Sequence, residues 1–242
     1  MVRIAAAYPD LCNLYGDYAN IKALEKRLSE AGERVEVRNF SIGTYTELAQ
    51  CDIICFGAAT EGSMLAALED ITRYKADLMT FSKSGKPIIM TGNSMSLMAQ
   101  SVTLSDGSVR QGLGIFDADV AIEKKRSYSE FIMRTALAKG EIVGVINSSM
   151  TVSSRESSVF EVEYDTAGML HDKKEGIFCD NIIATELSGP LLIKNPELLD
   201  RIAQLVCKRE LGTCEEDWFV LAQKAHADML AVLEKASGKK RR

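Results

Sequence analysis

The chain has 242 residues, 46% of them hydrophobic and 26% charged, with a net charge of -5. That is an ordinary globular composition, and the acidic balance argues against a general nucleic-acid binder, whose footprint is a basic face. No apolar stretch approaches the ~20 residues of a membrane-spanning helix and no signal peptide is expected, which leaves a cytoplasmic protein with reduced thiols as the expectation.

The run Val2–Ala7 predicts a first buried strand. Gly16 and Asp17 open a helix to about Glu30, with Ile21, Leu24 and Leu28 at helical spacing and Gly32 as its stop. Val35, Val37 and Phe40 predict a second strand, and Asp52–Phe56 a third that ends at Gly57-Ala58-Ala59. A long helix from about Ser63 to Ser82 follows, and Pro87 leads in a fourth strand. Four strand–helix alternations predict a mostly parallel α/β sheet with helices on both faces.

The fourth unit carries the sharpest signal. An apolar strand after Pro87 meets the small-residue turn Thr91, Gly92, Asn93, Ser94 and then a helical pattern of Met95, Leu97 and Met98. Strand, tight turn and helix in that order form a nucleophile elbow, which lifts one side chain above a sheet edge. Here the apex is Gly92, which has no side chain. Ser94 reads as the cap of the following helix.

Beyond Gln100 the pattern changes. A hairpin is expected from Val102 to Val109 around Asp106-Gly107. Antiparallel strands are expected near residues 119–123, 131–136, 141–146 and 159–164, and a strand or strand pair over 177–185. Asn195 as cap and Pro196 at the first helical position predict a helix to about Glu210. Thr213 and Glu216 form a capping box for a last helix to about Lys235. A single domain is expected over 1–242, with a core of about 2–210, a terminal helix of about 213–236 and a basic, solvated tail at 237–242.

Three stretches resemble the class I glutamine amidotransferases of the cobyric-acid-synthase type, and most of all the glutaminase subunits of lipid II isoglutaminyl synthases. They are Tyr8-Pro-Asp-Leu-Cys-Asn-Leu-Tyr-Gly-Asp17, Gln111-Gly-Leu-Gly-Ile-Phe-Asp117 with Lys125-Arg126, and Ser188-Gly-Pro-Leu-Leu-Ile-Lys-Asn-Pro-Glu197. The resemblance implies a three-layer, flavodoxin-like fold: a mixed, mostly parallel sheet with an antiparallel C-terminal part. It also implies a Cys nucleophile on the elbow, a His that makes its thiolate, and an oxyanion hole of backbone N–H groups.

Position by position, the nucleophile falls on Gly92 and the His on Ser188, so no catalytic residue is expected. The turn resembling the oxyanion-hole donor is Gly57-Ala58-Ala59. Arg126 stands where the family has its glutamine-contacting arginine. The residues carried forward as binding candidates are Arg126, Gly57, Ala58 and Asp17.

Bland readings stand beside these. Asp17, Asn13 and Tyr15 lie where open α/β sheets put ligands, or simply turn the chain. Arg126 could hold a carboxylate, but with Lys124 and Lys125 the favoured reading is a solvated edge. Met90, Met95 and Met98 read as adaptable core or as cleft filling. Thr91, Ser94 and Ser96 are hydroxyls with no base in place, since the only histidines are His171 and His226. Cys12, Cys51, Cys55, Cys179, Cys207 and Cys214 lack metal-ligand spacing, so neither a metal nor a cofactor is expected.

The resulting expectation is a degenerate amidotransferase-like subunit without glutaminase activity. It would bind or regulate a Mur-ligase-like synthetase, as a heterodimer, in lipid II amidation. The alternative is an enzyme or sensor whose cleft was repurposed for a small carboxylate or amide, a glutamine-like molecule among them.

Overall fold

A computed structural model describes residues 1–238; the remainder of the basic tail lies outside the described residues. Its centre is a six-stranded sheet. Strand β1 (Val2–Ala7) lies between β2 (Val35–Phe40) and β3 (Ile53–Phe56). Beyond β3 come β4 (Ile88–Thr91), β12 (Ile182–Thr185) and β11 (Ile177–Cys179). All neighbours are parallel except the β11–β12 hairpin at the edge.

Side chains on a strand alternate between faces, and β1 shows the consequence. Ala5 and Ala7 join one apolar cluster with helices α2 (Glu61–Ile71) and α3 (Lys75–Ser82). Ile4 and Ala6 join another with α1 (Tyr18–Glu30), α4 (Leu191–Lys194) and α5 (Pro196–Cys207). Helices therefore cover both faces in three layers, as expected.

The antiparallel part forms a second sheet rather than an extension of the first. It contains β5 (Ser101–Thr103), β6 (Val109–Gln111), β7 (Ala118–Arg134), β8 (Ile142–Ser154), β9 (Phe160–Asp165) and β10 (Lys174–Glu175), with one parallel pair, β5 and β7. The β5–β6 hairpin turns at Asp106-Gly107 as expected, with Gly107 at φ +85°. The strands expected at 119–123 and 131–136 are the two ends of one strand, β7, which pairs with β8 across a register shift between Ile122 and Ser127. The near end packs with the α2/α3 cluster through Val120 and Ile122, and the far end with the α1/α5 cluster through Phe131 and Met133. The irregularity carries Lys124, Lys125 and Arg126 between them.

Several local expectations are corrected. The helix expected from Ser63 to Ser82 breaks at a 3₁₀ turn, Thr72–Tyr74, because the Tyr74 ring turns into the core against Phe40 and its hydroxyl donates to the Thr44 carbonyl. The elbow is followed by a 3₁₀ turn over Gly92–Leu97, not an α-helix. The carbonyls of Leu97, Met98 and Ala99 accept from Leu113, Ile115 and Gly114, which ends the run there instead of letting it continue as a helix. Ser94 does not cap; its hydroxyl donates to the Thr91 carbonyl at 2.8 Å.

Pro196 does begin α5, but Asn195 caps nothing with its side chain. Its amide instead accepts from Val143 N–H and donates to the carbonyls of Val143 and Leu191, stitching the helix to β8. Lys208, at φ +53°, stops α5 at Cys207, short of Glu210. The Thr213–Glu216 box does not form: α6 (Asp217–Ser237) starts after Glu216 without a side-chain cap. Among the described residues no helix is long and apolar enough to cross a membrane.

Candidate functional site

The chain order β2-β1-β3-β4 reverses direction between β1 and β3, and ligands of open α/β sheets sit at the carboxyl ends of strands beside such a switch. Three loops meet there, after β1, β3 and β4, and polar bonds lock them together. Asp17 is 3% exposed; its carboxylate accepts from the Ala58 N–H and from the Thr91 hydroxyl, each at 3.0 Å. Leu14 N–H donates to the Ala58 carbonyl. Asn93 clamps Ala59 from both sides, accepting from its N–H and donating to its carbonyl at 2.9 Å each.

Asp17 thus does not act as the side-chain cap of α1; Asn13 accepts from Tyr18 N–H instead. Burial raises the Asp17 pKa, offset by the Ala58 and Thr91 hydrogen bonds and by the charge of Lys194. Lys194 in turn is lowered by its own burial, partly restored by Asp17.

Gly57 is required by packing: a Cβ there would lie 2.2 Å from the Cys12 carbonyl oxygen and 2.7 Å from the Asp17 Cβ. Gly92 is required twice over. Its φ is +60°, a backbone that side-chain-bearing residues rarely adopt, and a Cβ there would meet the Ala58 Cβ at 2.5 Å. The elbow bend is present, its apex is filled from across the loop, and the N–H groups of Ala58 and Ala59 are already bonded.

In front of Gly92 lies a small polar cleft of about 90 Å³, lined by Tyr15, Ala58, Gly92, Arg126, Asn147 and Ser188 among others. Pockets that enclose drug-sized ligands run to ~300–1,000 Å³, so this one suits a small polar group. Arg126 is not a free solvated edge, as the favoured sequence reading held. Its Nη1 donates to the Tyr15 hydroxyl and the Asn147 carbonyl, both at 2.7 Å, which brings the β7 irregularity over the first loop. Ser188 closes the far side; its N–H donates to the Val145 carbonyl. Met95 and Met98 are buried in the core rather than in the cleft, and the methionine at the cleft is Met150.

Neither histidine lines the cleft: His226 shares a hydrogen bond with the Lys194 carbonyl, and His171 is exposed. The cysteine thiols near the first strands are inert by burial, with Cys12 and Cys55 each pushed up to about 12. Among the described residues no cluster could hold a metal ion.

Sequence reasoning missed Asn147 and Ser148 at the cleft. The signal was there, in the polar run Asn147-Ser148-Ser149 that interrupts an otherwise apolar strand. It also missed the Asn93 clamp and Lys194, which only the folded chain brings close.

A doubly wound sheet with an elbow on the strand next to its switch point and a small polar cleft before it defines an amidotransferase-like domain. The chain belongs to the CobB/CobQ-like glutamine amidotransferase domain family, whose model matches residues 3–196. It is similar to the Staphylococcus aureus (strain N315) lipid II isoglutaminyl synthase (glutamine-hydrolyzing) subunit GatD, 26% identical over 201 residues, covering 83% of this chain and 82% of the relative. The same-named subunit of Streptococcus pneumoniae (strain ATCC BAA-255 / R6) is 21% identical over 223 residues, covering 87% and 82%. A solved glutamine amidotransferase structure superposes with a TM-score of 0.52 at 14% identity, covering 84% of this chain and 98% of that one, and so shares the fold.

Proposed function

We propose that this chain is a catalytically silent amidotransferase subunit that works by binding a Mur-ligase-like synthetase acting on lipid II. The observation that carries the loss of catalysis is the contact at the elbow. A cysteine at position 92 would place its Cβ 2.5 Å from that of Ala58, so the apex has no room for a nucleophile. Ser188 at the histidine position can neither generate a thiolate nor act as a base at neutral pH. The amides of Ala58 and Ala59, bonded to Asp17 and Asn93, are unavailable to an oxyanion. The names of the two bacterial relatives supply the substrate and the idea of a partner subunit.

Two measurements test this reading. Purified protein with glutamine should release no glutamate above a buffer blank, and saturable release would overturn the loss of catalysis. Co-expression with a Mur-ligase-like synthetase from the same genome should yield a complex on size exclusion; separate elution at micromolar concentration would overturn the partner.

A second reading rests on Arg126. Its Nη1 is fixed by Tyr15 and Asn147, leaving Nε and Nη2 free to fork onto a carboxylate beside the cleft. A thermal-shift series with glutamine, D-glutamate and L-glutamate tests it; a rise in melting temperature that survives Arg126→Ala would count against this arginine as the anchor.

A further inference from the structure

A second cavity, of about 260 Å³, opens beside the carboxyl end of β8 and has no counterpart in the proposed function. Its floor holds two buried carboxyl groups, Glu175 and Glu186. Glu175 has a structural task. It accepts from the Thr185 hydroxyl and from the Glu186 N–H, both at 2.7 Å, and so ends strand β12.

Glu186 is different. It is 7% exposed, lines the cavity, and its Oε2 has no hydrogen-bond partner in the protein. A buried carboxylate oxygen left without a partner is costly, and native proteins tolerate few such groups.

The rest of the wall says what would relieve it. Glu156 and Asp172 add two acidic groups, against the one cation Lys174. Met95, Val152 and Leu170 provide an apolar side. The donor set is too sparse for a divalent metal, since no three His, Cys, Asp or Glu side chains converge among the described residues. An occupant must therefore bind by hydrogen bonds and charge, not by coordination.

We infer that this cavity is a binding site for a primary amine on a short aliphatic stem, its ammonium group donating to Glu186 Oε2 and its stem lying against Met95, Val152 and Leu170. Several observations agree with this. The cavity is far larger than one water, whose share of liquid volume is ~30 Å³. The excess of carboxyls focuses a negative potential on it. Burial raises Glu186 to about 8, with the nearby Glu175 adding to it and the Ser148 hydroxyl partly offsetting it. The free protein therefore holds Glu186 largely neutral at pH 7, and a bound ammonium ionises it, so that the Glu186 proton is released to solvent as the amine docks.

The experiment is isothermal titration of the full chain with n-butylammonium chloride near neutral pH, in two buffers of different ionisation enthalpy. Saturable binding is expected, with up to about one proton released per amine. Glu186→Gln should weaken it by about tenfold or more, since one ionisable partner is gone. Tetramethylammonium, which has the charge but no N–H donor, should not bind.

Equal binding of tetramethylammonium, or unchanged affinity in Glu186→Gln, would overturn the inference, as would no binding at all. Should Glu186→Gln fail to fold, wild-type affinity alone decides: it should climb from about pH 6 to about pH 9 as Glu186 ionises, and a flat profile refutes the site. The outcome is independent of the glutaminase and partner measurements.

Discussion

The Cβ of Ala58 stands 2.5 Å from where a Cβ on Gly92 would be, so the loops after β3 and β4 exclude each other's side chains at this point. The methyl of Ala58 and a side chain at position 92 are mutually exclusive. A glycine at 58 would make room for a side chain at 92, and a glycine at 92 makes room for the methyl of Ala58.

This coupling is measurable. Gly92→Cys alone combines a left-handed backbone with a buried clash and should lose about 2–4 kcal/mol in urea unfolding. Adding Ala58→Gly removes the 2.5 Å contact, leaves the residue-58 Cα at 3.3 Å and the backbone strain, and should return about 1–2 kcal/mol of that loss. Additive behaviour of the two substitutions would show that the contact is relieved by some other movement.

Asp17 should be tolerant of one replacement and not of another. Its carboxylate is bonded to Ala58 N–H and Thr91, and Thr91 also lies 3.2 Å from the Phe56 carbonyl. In Asp17→Asn the amide oxygen keeps the Ala58 bond, the amide NH₂ donates to Thr91, and the Thr91 hydroxyl turns to Phe56. Stability should change by less than about 1 kcal/mol. Asp17→Ala strands the Ala58 N–H and should cost about 2–4 kcal/mol. Equal losses in denaturant melts would mean that charge, through Lys194, matters more than the hydrogen bonds.

The layers of the fold were legible because apolar periodicity reports which face is buried: the apolar residues of Val2–Ala7 and Asp52–Phe56, with Ile21, Leu24 and Leu28, all end up in the core as expected. Failures cluster where a side chain has a distant partner. Asn195 has the residue type and place of a cap, yet β8 claims its amide. Ser94 likewise looks like a cap, but its hydroxyl donates to the Thr91 carbonyl and the loop at 113–115 ties off the run at Leu97–Ala99. At the cleft, the resemblance pointed to Gly92 and Ser188, and both line it. Nothing in the one-dimensional pattern shows that Arg126 reaches Tyr15 across 111 positions.

Arg126 itself should matter little for stability. It is exposed, and its bonds to Tyr15 and Asn147 lie at the rim of the cleft. Arg126→Ala is expected to shift unfolding by less than about 1 kcal/mol, in line with surface polar contacts. If the cleft takes a carboxylate, the same substitution should abolish the ligand-induced rise in melting temperature. A large stability loss without ligand would show that Arg126 serves to pin the first loop to β7.

The buried acids set a pH dependence whose sign follows from their shifts. Burial raises Glu175 to about 7 and Glu186 to about 8, against ordinary values of 4.5. Facing them are Glu156 and Asp172, with Lys174 the one cation. Between the ordinary and the raised values the folded chain holds protons that the unfolded chain has released. Stability from these groups is therefore fully present below about pH 4.5, falls as pH rises, and levels off above about pH 8. The total fall should be on the order of a few kcal/mol, shared by the coupled pair. Glu186→Gln keeps the shape of the side chain without its charge, so its stability should fall less over the same range and exceed the wild type near pH 8. Urea unfolding at a series of pH values reads this directly. Parallel profiles for the two proteins would mean that Glu186 stays ionised in the folded chain, its charge met by a partner.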